Sequence, residues 1–225
     1  MGILVVTPLP LEFDAFVEGC AAVGCHVERG LLGRLPIATL PDLKISVARG
    51  GVGKAQFAVH TQHLLDTAPW DLVICAGTAG ALASEVMVGD VIVSTVTIEH
   101  DYNNRMFQRP KPRFEGDAAT LAALRHIHPA PNSFRVHFGP VASGDEDVVD
   151  ATRRDLLRET TGALCVAWEG AGGARACTFS QTPFIELRGL TDQANHLAVT
   201  DFQANLRLAM THIANVLTTW RRTDP

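Results

Sequence analysis

The sequence predicts an α/β fold: one domain over residues 1–225, with a central mixed β-sheet flanked by helices. Three observations carry this. Short apolar, β-branched runs alternate with helix-length stretches from one end of the chain to the other. The 225 residues are 47% apolar, enough for one core that needs no disulfide or metal staple. No repeat, low-complexity tract or Gly/Ser-rich linker divides the chain.

Ile3-Leu-Val-Val-Thr7 is a continuous apolar run that suits a strand buried on both faces. Pro8 and Pro10 open a helix over about 11–22, and strands over 36–40 and 43–49 follow, separated by a turn at Pro41-Asp42. Gly50-Gly-Val-Gly53 leads into a helix over about 54–65. A strand over 72–76 ends in the small-residue loop Gly77-Thr-Ala-Gly80, and a β-rich stretch over 89–99 precedes a polar loop over 100–115. The second half repeats the alternation: a helix near 118–127, a strand over 133–142, the loop Ser143-Gly-Asp-Glu146 and a helix over about 148–160. A short strand over 163–167, a Gly/Ala-rich helix over 170–179, a strand over 184–190 and a long helix over about 201–220 complete it. Ligands of such sheets bind beyond the carboxyl ends of the strands, which singles out the segments after Val6, Arg49, Ala76, Ala142, Ala167 and Leu190.

Composition removes several function classes. A formal charge of −5 gives no basic excess for binding nucleic acid. Five cysteines, odd in number and set among apolar neighbours, read as buried hydrophobes of a reducing compartment, and no paired CxxC or HxxxH spacing marks a metal site. The first residues do not form a signal peptide, and no apolar run is long enough to cross a membrane, so a cytoplasmic protein is expected. Gly50-Gly-Val-Gly-Lys54 fails as a phosphate loop because Ala48 and Ala55 stand where Gly and Ser or Thr are needed. Neither a dinucleotide fingerprint nor a hydrolase nucleophile elbow is present.

Acids that fall just after strands are the informative remainder: Glu12, Glu169 and Asp192. Each alone reads equally well as an acid favoured by a helix amino terminus. Three at one sheet edge, beside two Gly-rich loops, suit chemistry in which one carboxyl group protonates a leaving group and another activates water.

Five segments, Ile74-Cys-Ala-Gly-Thr-Ala-Gly80, Val88-Gly-Asp-Val-Ile-Val-Ser94, Ala142-Ser-Gly-Asp145, Trp168-Glu-Gly-Ala171 and Leu187-Arg-Gly-Leu-Thr-Asp192, fall in the order found in the nucleoside phosphorylase superfamily. The chain most resembles its 5′-methylthioadenosine/S-adenosylhomocysteine nucleosidase branch, from residue 3 to about residue 217. The resemblance implies roles. Asp192 matches the general acid that protonates or hydrogen-bonds purine N7, since a purine anion leaves poorly and a proton makes its departure feasible. Glu169 matches the acceptor of the ribose 2′- and 3′-hydroxyls, and Glu12 the base that orients the attacking water. Arg188 matches an arginine near that water and the acid. Gly50 and Gly51 match the backbone loop beside the nucleophile, and Thr78 the loop near sugar and base.

The same resemblance separates water from phosphate. Phosphorylases of the superfamily hold phosphate with arginines in regions that here carry Cys75-Ala-Gly77 and Pro8-Leu-Pro-Leu-Glu12. Water is therefore the expected nucleophile. Three departures bear on the substrate. Asp147, followed by Val148, stands where the branch stacks an aromatic ring on the base, and Trp168 replaces a methionine, its indole either regaining the stacking area or filling core. In dimeric members the loop over 100–107 reaches the neighbouring subunit's 5′ pocket; Phe107 keeps that role, while Asn104 and Arg105 suit a polar substituent such as homocysteine. The expectation is a purine nucleoside N-glycosidase, homodimeric, with no cofactor and no metal. Futalosine hydrolysis, phosphorolysis on the same fold and non-catalytic nucleoside binding stay open as alternatives.

Overall fold

Alternate residues of β1 (Ile3–Thr7) enter two different cores, Ile3 and Val5 on one side and Leu4 and Val6 on the other, and both sides are covered by helices. The computed structural model describes residues 2–130 and 133–223. After β1 come α1 (Pro10–Ala22), β2 (Glu28–Leu32), β3 (Leu35–Leu40), β4 (Ile45–Arg49), α2 (Gly53–Thr67), β5 (Leu72–Ala81) and β6 (Val91–Glu99). The second half contains β7 (Arg113–Glu115), α3 (Ala118–Leu124), β8 (Val136–Ser143), α4 (Ala151–Thr161), β9 (Cys165–Ala167), α5 (Gly170–Phe179), β10 (Phe184–Asp192) and α6 (Ala198–Thr223). The expected α/β architecture with a mixed sheet is what forms.

β1 lies parallel between β4 and β5, and an antiparallel run β4–β3–β2 forms one edge. On the other side β5 pairs parallel with β10, β10 antiparallel with β6, and β6 parallel with β8. β8 pairs parallel with β9, which returns antiparallel to β5 at Gly80↔Val166 and Ala81↔Cys165. This part of the sheet therefore closes on itself. Register shifts at Ser94/Thr97 in β6 and Leu190/Asp192 in β10 supply the bends that closure needs.

Closure explains where the structure departs from the sequence reading. Gly77-Thr-Ala-Gly80, expected as a loop, continues β5, because β10 pairs with it as far as Gly80. β10 likewise runs to Asp192 rather than stopping at Leu190. The helix expected from about residue 148 begins at Ala151, where Asp150 caps it by accepting from Thr152 N and Arg153 N, and residues 144–150 remain a loop. β2 and β7 were not foreseen; both lie at sheet margins and are largely exposed, so neither carries an apolar pattern.

Helices α1 and α6 cover one face over Phe13, Phe16, Met210, Ile213 and Leu217, and α2 and α5 cover the other over Phe57, Leu64 and Cys177. All five cysteines are free, as read from the sequence, and all but Cys25 are buried. Burial pushes the Cys20 and Cys177 thiols up to about 12. The α2–α5 contact is close: a Cβ on Gly172 would stand 2.2 Å from the Lys54 carbonyl oxygen. Gly172→Ala is expected to force the two helices apart and cost about 3 kcal/mol, lowering Tm by about 6–12 °C in a thermal melt; an unchanged melting curve would show that the contact yields freely.

Candidate active site

A cavity of about 340 Å³ opens at the carboxyl ends of the strands. All six segments singled out by the strand-end rule contribute to its wall. Pro8, Leu9 and Glu12 follow β1, Val52 follows β4, and Thr78, Ala79 and Gly80 are the far half of β5. Glu146 to Val149 follow β8, Trp168 and Glu169 follow β9, and Thr191 and Asp192 end β10. The first turns of α6 close the side with Ala198, Val199 and Phe202.

Glu12 lies in the first turn of α1, which starts on Pro10 and so needs no amide there. Its Oε2 accepts from Leu9 N at 2.9 Å, and its Oε1 accepts from Thr78 N and Thr78 Oγ1, both at 2.7 Å. These three bonds span two elements and fix the carboxylate against the cavity wall. Gly77 makes room for it: a Cβ there would be 2.6 Å from Arg188 Nη1 and 3.2 Å from Glu12 Oε1.

Glu169 caps the start of α5, its carbonyl accepting from Gly172 N and Gly173 N. Its carboxyl takes a 3.3 Å bond from Gly53 N and a 3.3 Å ion pair from Arg188 Nη2. Gly53 reaches that position with φ +79°, a conformation glycine adopts freely. Burial pushes the Glu169 carboxyl up to about 7, with Glu12 adding to the rise, and the Arg188 guanidinium and the Gly53 amide opposing it.

Arg188 itself is 1% exposed and does not reach the cavity wall. Its Nε donates to Glu186 Oε1 at 2.7 Å, Nη1 to the Thr78 carbonyl at 3.3 Å and Nη2 to Cys75 Sγ at 3.4 Å. Arg188 thus has Glu169 and Glu186 as its ion-pair partners, and the single Cβ position on Gly77 that would crowd both its Nη1 and Glu12 Oε1 places it close to Glu12. A guanidinium at mid-strand on the closed part of the sheet finds its charged partners among buried acids and fills its other donors with the Thr78 carbonyl and Cys75 Sγ.

Asp192 is 7% exposed; Oδ1 accepts from Ala194 N at 2.9 Å and Oδ2 from Thr191 Oγ1 at 2.8 Å. Burial raises this carboxyl above its usual range against the pull of those two bonds. Gly80 is needed opposite it, since a Cβ would lie 2.8 Å from Oδ1. Ser143 ties the neighbouring segments together, donating to the Trp168 carbonyl at 2.7 Å and accepting from Ala171 N at 2.9 Å.

Seven of the ten residues expected from sequence line this one cavity: Glu12, Thr78, Asp147, Val148, Trp168, Glu169 and Asp192. Besides Arg188, two do not. The Gly51 amide is taken by the Pro8 carbonyl at 3.1 Å, so Val52 forms the wall instead. Phe107 is 66% exposed, on the outer loop beneath Arg109. Sequence reasoning missed Val199 and Phe202, whose spacing on α6 does not distinguish a cavity wall from a core face. It also missed Glu186, which reads in sequence as an ordinary strand residue.

Among the described residues lining the cavity, five carry carboxyl groups and none is Lys, Arg or His. Glu146 is neutralised from behind by Arg153, which donates to its two oxygens at 2.6 and 2.7 Å and holds it below the usual carboxylate range.

The family model of the phosphorylase superfamily matches residues 2–220. A 5′-methylthioadenosine/S-adenosylhomocysteine nucleosidase of Exiguobacterium sp. is 30% identical over 186 residues, 79% of this chain and 80% of that relative. Two solved structures share the fold over 99% of this chain, each with a TM-score of 0.85. One is a 5′-methylthioadenosine/S-adenosylhomocysteine nucleosidase from S. pneumoniae with a transition-state inhibitor, 24% identical and covered over 99% of its length. The other is a futalosine hydrolase of Helicobacter pylori, 23% identical and covered over 98%.

Glu169 gives the fold a pH signature. Its carboxyl holds a proton up to about pH 7 in the native state, against an ordinary value of 4.5, so between those values the native state binds more protons than the unfolded one. Its stabilising contribution is complete below the unfolded value and is lost as pH rises through about 7. In urea unfolding of wild type and Glu169→Gln, the difference in ΔG is expected to decline by on the order of 3 kcal/mol between about pH 4 and pH 8. A difference that grew with pH would reverse the assignment.

Proposed function

The chain belongs to the phosphorylase superfamily, and from that premise we propose that it is a hydrolase cleaving the N-ribosidic bond of a 5′-substituted adenine nucleoside of the methylthioadenosine/S-adenosylhomocysteine type. The observation that carries hydrolysis over phosphorolysis is the acidic wall: no basic side chain lines the cavity among the described residues, so a phosphate dianion would meet carboxylates without guanidinium partners. Water carries no such penalty.

The geometry supports a division of labour. Asp192, whose burial keeps a proton on the carboxyl to higher pH, delivers it to purine N7 and turns the base into a neutral leaving group. As the C1′–N9 bond breaks, positive charge grows on the sugar, and the carboxylates of Glu12 and Glu169 face that charge. Glu169 in its ionised form accepts from the 2′- and 3′-hydroxyls. Glu12, held by Thr78 and Leu9, keeps lone pairs for the water that attacks C1′ and takes its proton. Trp168 and Val148 supply apolar area for the base, and Val199 and Phe202 apolar wall by the rim. Asp192, rather than an amide at this position, favours a 6-amino purine over the futalosine reading.

We place the enzyme in the cytoplasm as a homodimer without metal or organic cofactor or nucleic-acid partner. Support comes from five free thiols, from the outward-facing Met106 and Phe107 as a surface for a second copy, and from the acidic balance of the chain. No helix of the described residues is long and apolar enough to cross a membrane.

Incubation without phosphate against methylthioadenosine, S-adenosylhomocysteine, adenosine, inosine and futalosine is expected to release adenine from the first two, at a rate that added phosphate does not raise. Phosphate-dependent base release, or release from futalosine alone, would overturn the reading. Asp192→Asn is expected to lower kcat by about 10²–10³-fold, near 3–4 kcal/mol of transition-state stabilisation; turnover within a few fold of wild type would remove the acid role.

A further inference from the structure

Glu186 is a carboxyl group that the proposed reaction leaves unused. It sits at mid-strand on β10, fully buried, behind the cavity rather than on its wall. Its surroundings are nonetheless built around it. Oε1 accepts from Arg188 Nε at 2.7 Å, and Oε2 accepts from Thr97 Oγ1 of β6 at 2.5 Å. A Cβ on Gly170 would come within 2.2 Å of Oε2, so the first turn of α5, which Glu169 caps, rests directly on the Glu186 carboxyl.

Arg188 is shared unequally. Glu186 holds its Nε at 2.7 Å, whereas Glu169 holds Nη2 at 3.3 Å. The other groups facing this pair are Glu12 from α1, Cys75 and the Thr78 carbonyl from β5, Thr97 from β6 and the Gly53 amide from α2. None of these is a second cation.

We propose that Glu186 is a positioning residue: it fixes the plane of the Arg188 guanidinium and takes the larger share of its charge, leaving Glu169 a long, weak hold on the cation and oxygens free to turn to the sugar hydroxyls. This rests on the reading of Glu169 as the sugar-binding acid. Burial raises Glu169 to about 7 and Arg188 opposes that rise, so a closer approach of the guanidinium would bring the carboxyl down. Glu186→Gln keeps the shape and an oxygen for Arg188 Nε but removes the competing charge. Arg188 then closes on Glu169, which must give up that ion pair before it can bind the diol.

The test is the titration of Glu169 in protein labelled with ¹³C at the glutamate carboxyl carbon, its resonance assigned by its loss in Glu169→Gln, with no substrate present. In Glu186→Gln the midpoint is expected to fall by about one pH unit or more, and Thr97→Val, which removes only the hydroxyl donor, to move it the same way by less. In steady-state kinetics the acid limb of kcat/KM shifts down with it, and KM rises more than kcat falls. A midpoint unmoved in both variants, whatever their melting temperatures, overturns the proposal, because a merely structural Glu186 would alter stability alone. Should Glu186→Gln fail to fold, the Thr97→Val titration decides. Should the wild type release no adenine, the functional reading fails while the carboxyl titration still judges the charge-sharing.

Discussion

The Arg188 guanidinium, buried at mid-strand where the sheet closes, obliges acceptors to gather around it. A cation removed from water costs several kcal/mol unless its donors are met, and here Glu186, Glu169, Cys75 and the Thr78 carbonyl meet them. Each of those contacts places something else. Through Thr78, whose amide and hydroxyl bind Glu12, the guanidinium is coupled to α1; through Glu169, which accepts from Gly53, it is coupled to the first residue of α2. The two carboxylates assigned to sugar and water are thus held in one network by a side chain that reaches no cavity surface.

That arrangement separates the acids by environment. Asp192 accepts hydrogen bonds from Thr191 and Ala194 but pairs with no cation among the described residues, and burial favours its protonated form. Glu12 receives three donors and is fixed as an acceptor. On the proposed reading, carboxyl groups of one chemical type thus divide into proton donor and proton acceptor within one cavity, because their neighbours differ.

Much of this was legible in the chain. The alternation of apolar runs and helix-length stretches gave the fold class, and the strand-end rule named six segments that all reach the cavity. Local pattern reported poorly on what depends on distant pairing. Gly77-Thr-Ala-Gly80 looks like a loop because glycine and small residues weaken strand propensity, yet pairing to β10 and β9 keeps it extended. Its glycines mark close approach instead: Gly77 to Arg188 and Gly80 to Asp192. Glu186 was invisible for a related reason, since a strand acid in sequence reads as solvent-facing until the cation beside it is seen to be buried. Gly51 was one residue off because its amide closes the turn onto Pro8.

The acid-lined wall has a bearing on which metabolites the cell can safely expose to this enzyme. Nucleotides outnumber free nucleosides among adenine compounds, and each carries a doubly negative group at C5′. Of the five carboxyl groups on the wall, Glu146 is paired with Arg153 and Glu169 with Arg188, and neither arginine lines the cavity, so no base among the described residues is presented to such a group. On the proposed reading, a phosphoryl group at C5′ would be repelled here rather than held, which favours nucleosides over mononucleotides as ligands.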